Sequence, residues 1–396
     1  METRFENVAC TRCGCLCDDL AVRVADGTVS DVAGACELAA PWWLSQRGEG
    51  IESTVAQIEG QPAPLEDAFA RVAEILSGAR SPLIAGDLPA VQPWRAAVAL
   101  ARRTRAKIDP CTTRSAAAFT LATQEVGLAT CSLGEIKSRS DLLVFWRVDP
   151  TTSHPRLLDR CQSSDEKPTI VALIGEGQSA AWADVVIPLA AGEELATIAQ
   201  LRGHVGETSD ANSADSLVDL ARRLRHCRYG VLFLGEGTDD RREFEGLLRL
   251  VDRLNDDRPV HACHLGAAGG GEEVLNWQTG FCFAVDLADE QPAYRPEDST
   301  AETVLARSET DACLMLGAGN SLSDTARDHL ASIPNIFLAP PDVELPITPT
   351  VQITVARPGV HEAGTAYRFD GVPIPLTQVF ETALPTAADV LARCCS

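Results

Sequence analysis

Leu65, Phe69, Val72, Ile75 and Leu76 recur at helical spacing, which predicts a helix with one buried face, and Gly78 is placed to end it. The next run, Ser81–Asp87 (SPLIAGD), has an unbroken apolar centre, which predicts a short strand buried on both faces. A second helix is predicted over Trp94–Arg103. Similar short apolar runs, each bounded by turn residues, stand at Asp141–Trp146, Thr169–Ile174, Tyr229–Leu234, Ala312–Leu316 and Asn335–Leu338. Each is too short for a buried helix and rich in Val, Ile, Leu or Phe, so each is predicted to be a central strand. Helices alternating with such strands define an α/β protein whose sheets are mostly parallel.

The pattern changes before about Val55, where cysteines crowd together with two short strand-like pieces and the Trp42–Trp43 pair. Three units are therefore expected. Residues 1–55 form a small cysteine-rich lobe, 56–110 together with 226–396 form one α/β domain, and 111–225 form a second. Gly206–Ser216 and Gly266–Glu273 are dense in Gly, Ser, Asn and Asp and read as surface loops. No internal repeat is present.

Composition narrows the class. At 396 residues the chain can build two or three cores, and 45% hydrophobic with 23% charged residues fits a soluble globular protein. No run of about 18 apolar residues occurs, so no membrane span is expected. Met1–Val8 carries Glu2, Arg4 and Glu6 and lacks an apolar core, so a secretory signal is not expected and the protein reads as cytoplasmic. The net charge of −22 comes without a basic patch, which excludes nucleic acid as a partner. Fourteen cysteines in a reducing compartment should be thiols or metal ligands rather than a disulfide framework. Cys111, Cys131, Cys161, Cys227, Cys263, Cys282 and Cys313 are scattered singly and read as small buried hydrophobes, while Cys394 and Cys395 lie at the terminus.

Cys10, Cys13, Cys17 and Cys36 are different. The first three form C-x2-C-x3-C, Cys36 follows after 18 residues, and Cys15 is an extra thiol inside the run. Three thiolates in a tight loop with a distant fourth suit a [4Fe–4S] cluster, which needs one soft ligand per iron. Zinc competes for four thiolates, although its sites usually use two C-x2-C pairs and the second pair is missing here. A metal-free remnant is the third reading.

The segment CTRCGCLCDDL (Cys10–Leu20), followed by GAC ending at Cys36, resembles the cluster loop of molybdopterin- and tungstopterin-dependent oxidoreductases. Further segments resemble the B-type polypeptide of formylmethanofuran dehydrogenase in the same order. These are QEVGLATCSLGEIKSRSDLLVFW (Gln124–Trp146), SHPR (Ser153–Arg156), GVLFLGEG (Gly230–Gly237), NWQTGF (Asn276–Phe281) and EAGTAYRFDGVPI (Glu362–Ile374). The resemblance spans nearly the whole chain and implies a formate dehydrogenase-like, molybdopterin-oxidoreductase-like fold. In that family a bis-pterin metal reduces carbon dioxide to formate, a cluster delivers the electrons, and an amidohydrolase-type subunit joins formate to a furan-linked amine. A related bacterial assembly moves a formyl group from a pterin carrier to a furan carrier and hydrolyses it without redox chemistry. The resemblance thus implies an amidohydrolase-type A subunit, a C subunit and a formyltransferase subunit as partners.

At the redox site this chain departs from the family. Where the family carries a metal-ligating Cys and a proton-transferring His, the alignment places Ser115 and Ala116. A serine hydroxyl is a hard, poorly ionised ligand, and alanine moves no proton. Cys111 lies four positions away, out of register. The family's Gly after the YW strand end is Arg147, its Asp-Pro-Arg segment is Leu173-Ile174-Gly175, and an Arg near the metal is Ala293, with Arg295 two places on. The comparison implies a subunit that has lost molybdopterin or tungstopterin, with Arg147, Leu173 and Ile174 expected to refill the cleft. An active dehydrogenase subunit with an altered metal ligand and a stand-alone iron–sulfur protein are the alternatives. Elsewhere, His154 in SHPR reads as a hydrogen-bonded structural residue. His261 and His264 are spaced like ligands but lack a third. Gly235 and Gly237 lack the third glycine of a dinucleotide turn, and Arg368 is a candidate contact for an anionic carrier.

Overall fold

The computed structural model describes residues 2–396 apart from 49–54, 111–112, 163–166, 176–179, 207–214, 320 and 395–396. Cys111, Cys395 and most of the predicted 206–216 loop therefore lie outside the described residues. With strands numbered in chain order, β1 (Thr3–Val8), β2 (Leu20–Ala25) and β3 (Thr28–Ala33) form an antiparallel N-terminal sheet. The predicted two strand-like pieces are thus three strands, closed by the short helix Ala39–Leu44 that buries Trp43.

The remaining chain builds two larger sheets. The first comprises β4 (Ala56–Ile58), β5 (Gln61–Pro62), β6 (Pro82–Gly86), β7 (Lys107–Asp109), β13 (Val285–Asp286), β14 (Ala312–Leu316), β15 (Asn335–Ala339) and β16 (Val351–Thr354). Its spatial order is β13-β7-β6-β14-β15-β16-β4-β5, parallel through the centre and antiparallel at both ends. The second comprises β8 (Leu142–Trp146), β9 (Thr169–Gly175), β10 (Val185–Leu189), β11 (Gly230–Leu234) and β12 (Val260–His264), in the order β10-β9-β8-β11-β12 and wholly parallel. A hairpin of β17 (Gly364–Tyr367) and β18 (Pro373–Leu376) lies apart from both. The chain is a mixed α/β protein with parallel sheets. Every residue of β6, β8, β11, β14 and β15 is buried, as unbroken apolar runs require. Among the described residues no helix is long and apolar enough to cross a membrane.

The sheets divide the chain differently from the expected boundary at 225. β11 pairs directly with β8 in full register, Gly230 opposite Leu142 through Leu234 opposite Trp146, so residues 226 to about 264 belong with the second sheet. Single-strand patterns carry no information about which partner a strand takes, and the boundary moved for that reason. Gly266–Glu273 is likewise no surface loop. A Cβ on Gly271 would meet Pro110 at 2.7 Å and Trp94 at 2.9 Å, and a helix already runs from Gly271 to Thr279.

The N-terminal lobe is tied to the second sheet by charge and by close packing. Arg156 donates to both Asp19 carboxylate oxygens at 2.6 and 2.7 Å, and Arg160 donates to Asp18 at 2.8 Å. A Cβ on Gly14 would come within 2.0 Å of the Gly266 carbonyl oxygen, so the loop touches that backbone directly. The hairpin is held by Arg368, which forms a bidentate pair with Asp370 at 2.9 and 2.7 Å. Asp370 also accepts from the Leu133 N–H at 2.6 Å, at the start of the helix Leu133–Arg139. Arg368 is therefore a packing residue, not a free contact for a carrier. Replacing Arg368 with Ala leaves a fully buried carboxylate without its cation. Urea unfolding should show a loss of about 3–5 kcal/mol; an unchanged midpoint would mean the pair carries no structural weight.

Candidate functional site

In the five-stranded sheet the chain winds outward one way from β8 through β9 to β10, and the other way from β11 to β12. The connections therefore diverge between β8 and β11, and the carboxyl ends of these strands open a crevice where ligands of doubly wound sheets bind. A cleft of about 720 Å³ lies there, lined among others by Arg147, Asp149, Ile174, Trp182, Glu194 and Gly237. Gly235 and Gly237 follow β11. A Cβ on either would stand 2.2 Å from Val148 or from the Arg147 carbonyl, so these glycines permit close loop packing at the cleft wall.

Arg147 has a glycine's backbone conformation, φ +52°. For a residue with a Cβ this costs about 1 kcal/mol. Its guanidinium reaches Glu194 and Glu243, each at 3.1 Å, and so joins the helices Glu194–Gly206 and Arg241–Asn255 across the cleft. Glu243 is buried and also accepts from the Trp146 indole N–H at 3.2 Å. Of the three expected filling residues, Arg147 and Ile174 line the cleft. Leu173 is wholly buried within the sheet core instead, and the cleft persists.

Ser115 lies near the start of the helix Arg114–Val126, whose N-cap Thr113 accepts from the Ala116 N–H. It is buried, its Oγ donates to the Gly235 carbonyl at 3.3 Å, and it lies 3.1 Å from His264 Nε2. His264 ends β12 and stacks on Phe119 with ring centres 4.9 Å apart. Burial, with a smaller contribution from His154, pushes its pKa down to about 4, so it is neutral near pH 7. His264 is the partner of Ser115 that sequence reasoning missed. The two are 149 positions apart, and no spacing signals the contact. His261 and His264 face opposite sides of β12, as an odd offset on a strand requires, and His261 stacks on Tyr229 at 4.4 Å. They do not form a joint site.

The other expected positions fall apart. Ala293 pairs with Asp286 through two backbone hydrogen bonds beside β13. Arg295 is exposed and lines a separate surface hollow with Arg241 and Gln124. His154 is buried with Nε2 3.1 Å from the Gly266 carbonyl, a structural role.

Cys10, Cys13, Cys17 and Cys36 do come together. All four line one hollow, with Arg12 and Arg156 also at its wall. The loop closes through the Cys10 N–H donating to the Cys17 carbonyl at 2.9 Å, with Leu16 at φ +37°. Cys36 approaches from the turn before the helix Ala39–Leu44, where its carbonyl accepts from the N–H groups of Ala39 and Ala40. Cys15 is buried behind them, in hydrogen-bonding contact with the thiols of Cys13 and Cys17. That contact, with Arg160 and Arg156, pulls the Cys17 thiol down to about 6, whereas burial pushes Cys10 up to about 12. Among the described residues no three His, Cys, Asp or Glu side chains are gathered tightly enough for a single metal ion.

Fold and sites together define a two-sheet α/β chain with a cysteine-lined N-terminal lobe and a cleft at the carboxyl ends of the second sheet. The chain is a homologue of the B-type polypeptide of formylmethanofuran dehydrogenase. It is 28% identical to the B-type polypeptide of the tungsten-containing formylmethanofuran dehydrogenase 2 of Methanocaldococcus jannaschii, over 95% of this chain and 93% of that protein. Against its counterpart in Methanococcus maripaludis it is 26% identical over 95% and 94%. It is also 26% identical to the B-type polypeptide of the formyltransferase/hydrolase complex Fhc of Methylorubrum extorquens, over 66% of this chain and 74% of that protein. A chain in the crystal structure of that organism's FhcABCD complex with methylofuran shares the fold at TM-score 0.74 and 24% identity, covering 86% of this chain and 97% of the other. No protein-family model matches the chain.

Two expectations follow. If the lobe holds a cluster, Cys13→Ala should lower its melting temperature with loss of iron, read by differential scanning fluorimetry and iron analysis; an unchanged melt and no loss of iron would point to a metal-free lobe. For His264, the folded-state pKa is about 4 against an unfolded value near 6.5. The unfolded chain therefore takes up a proton first as pH falls. Stability due to the neutral imidazole is complete above pH about 6.5 and drains away down to pH about 4, by up to about 3 kcal/mol. Glu272, raised to about 8 by burial, acts in the opposite sense between about pH 4.5 and 8 and so opposes His264 over the upper part of its window. Relative to wild type, His264→Gln should lose less stability on acidification from pH 6.5 to 4, read as the difference between the two urea-unfolding series; an unchanged difference across that range would remove His264 as a source.

Proposed function

We propose that this chain is the B-type subunit of a cytoplasmic formyltransferase/hydrolase complex and that it supports one-carbon transfer without redox chemistry of its own. Its partners in this reading are an amidohydrolase-type A subunit, a C subunit and a formyltransferase subunit. The complex passes a formyl group from tetrahydromethanopterin to a furan carrier and releases formate. The observation that carries the reading is Ser115, hydrogen-bonded to a neutral His264 where the family places a thiolate. A hydroxyl already engaged with Gly235 and an imidazole is a poor ligand for molybdenum or tungsten. Arg147 strengthens the case, because its side chain stands in the switch-point cleft where the family has no side chain at all. The residues present do not fit a bis-pterin metal.

The lobe, by contrast, fits a [4Fe–4S] cluster. Cys10, Cys13, Cys17 and Cys36 would hold it, and a bound cluster would supply one-electron transfer and cross-link the lobe. Cys15 would remain a buried thiol behind the ligands. The molybdopterin-oxidoreductase-like fold belongs to the same reading, and the two-sheet architecture with an N-terminal cysteine lobe is compatible with it.

One observation favours a second reading, an active dehydrogenase subunit interconverting carbon dioxide and formate. The tungsten-containing relatives match over 95% of this chain, against 66% for the Fhc relative. Elemental analysis of the intact complex separates the two. The proposal expects no molybdenum or tungsten, and hydrolase turnover within about twofold of wild type in a Ser115→Ala complex. Stoichiometric tungsten or molybdenum, or turnover lost on removing the hydroxyl, would sink it.

A further inference from the structure

Three cysteines that are scattered in the sequence meet on one face of the second sheet. Cys131, Cys161 and Cys263 are all buried within a single apolar cluster, together with Tyr229. Two of them are neighbours by construction. β12 is the last strand of its sheet, so its outer edge has unpaired backbone groups. The segment after the helix Arg114–Val126 satisfies that edge, because the Ala262 N–H donates to the Ala129 carbonyl at 2.8 Å. Two residues beyond Ala129 and one beyond Ala262, Cys131 lies beside Cys263. The Cys263 Sγ lies 3.7 Å from the Cys131 carbonyl and 3.6 Å from Thr130 Oγ1, and the two thiols hydrogen-bond to each other.

We infer that Cys131 and Cys263 form an oxidisable dithiol, which hydroperoxides convert to a disulfide that staples residues 129–132 to the edge of β12. The Cys263 Sγ already stands 3.7 Å from the Cys131 carbonyl, so the two residues adjoin in space as a disulfide requires. Cys263 is the attacking sulfur. Cys131 and Thr130 donate toward it and hold its thiol below the ordinary range. The thiolate character of its neighbour and burial push Cys131 up instead, which suits a resolving thiol that stays protonated. In the first step the Cys263 thiolate attacks the hydroperoxide, the O–O bond breaks, and a proton completes the departing water or alcohol to leave a sulfenic acid. In the second, the Cys131 sulfur displaces the sulfenic oxygen and its proton leaves with it as water. Two thiols and one hydrogen peroxide thus become one disulfide and two waters, with the peroxide accepting both electrons.

The staple lies next to the candidate site. His264, the partner of Ser115, is the next residue after Cys263, so oxidation stiffens the strand that positions it. Cys161 lacks the edge contact and remains a thiol.

The test uses the full chain in its complex. It is treated with one equivalent of hydrogen peroxide, denatured, alkylated and mapped by mass spectrometry, so that each cysteine is read separately from those of the N-terminal lobe. Alkylation of Cys131 and Cys263 should fall together at least fivefold, with a linked peptide pair that dithiothreitol releases and that persists in Cys161→Ser. Cys131→Ser, with no resolving thiol, should leave Cys263 as a sulfenic acid that dimedone captures. Full alkylation of both thiols after treatment, or a disulfide joining either of them to Cys161, overturns the assignment without any engineered variant being needed.

Discussion

The parallel pairing of β8 with β11 is the constraint from which the rest of the site follows. It sets Trp146 beside Leu234 and makes the connections diverge, so the loops after both strands leave the sheet on the same side and enclose a crevice. Arg147, Gly235 and Gly237 are where they are because of that one register. The same pairing draws β12 to the sheet edge, where His264 reaches Ser115 and Cys263 reaches Cys131. A slip of one residue would turn every side chain of a strand to the opposite face and dissolve both contacts.

One charged side chain ties the wall of the cleft together. Arg147 takes up a left-handed backbone conformation that suits glycine, and its strain of about 1 kcal/mol is set against two carboxylates that would otherwise lack a cation. A backbone geometry that outlasts the residue type best suited to it is what a packed scaffold produces. Neighbouring strands and the close approach of Gly237 hold the turn, and the side chain adapts. Ser115 and His264 show the same economy, since a buried hydroxyl and a neutral imidazole satisfy one another where an anionic sulfur would need a cation or a metal. The Cys10–Cys36 hollow is unlike the cleft, since four thiols line it beside Arg12 and Arg156.

Much was legible in the sequence where the physics is local. Unbroken apolar runs such as Leu83–Ala85 and Leu314–Leu316 can only be strands buried on both faces, and they are. The helical stripe from Leu65 to Leu76 faces the core because its period matches a helix. The tight C-x2-C-x3-C spacing forces three thiols into one loop whatever the rest of the chain does. β10 escaped because VVIPL is short and interrupted by Pro188, which is tolerated only where the sheet ends. The Gly-rich stretch before Glu272 looked like solvent-facing loop because small residues signal turns and tight packing equally well, and here packing against Trp94 decides.

What the sequence determined by itself was the central strands and the first helices, the three-thiol loop and the absence of a thiol at position 115, since each depends on residues within a few turns of chain. Which strand lies beside which was decided only by the tertiary structure, and with it the pairing of Ser115 to His264, of Arg147 to Glu194 and Glu243, of Arg368 to Asp370, and of Cys131 to Cys263. The physical reason is that long-range partners are selected by the packing free energy of the whole core, which no local window of residues contains.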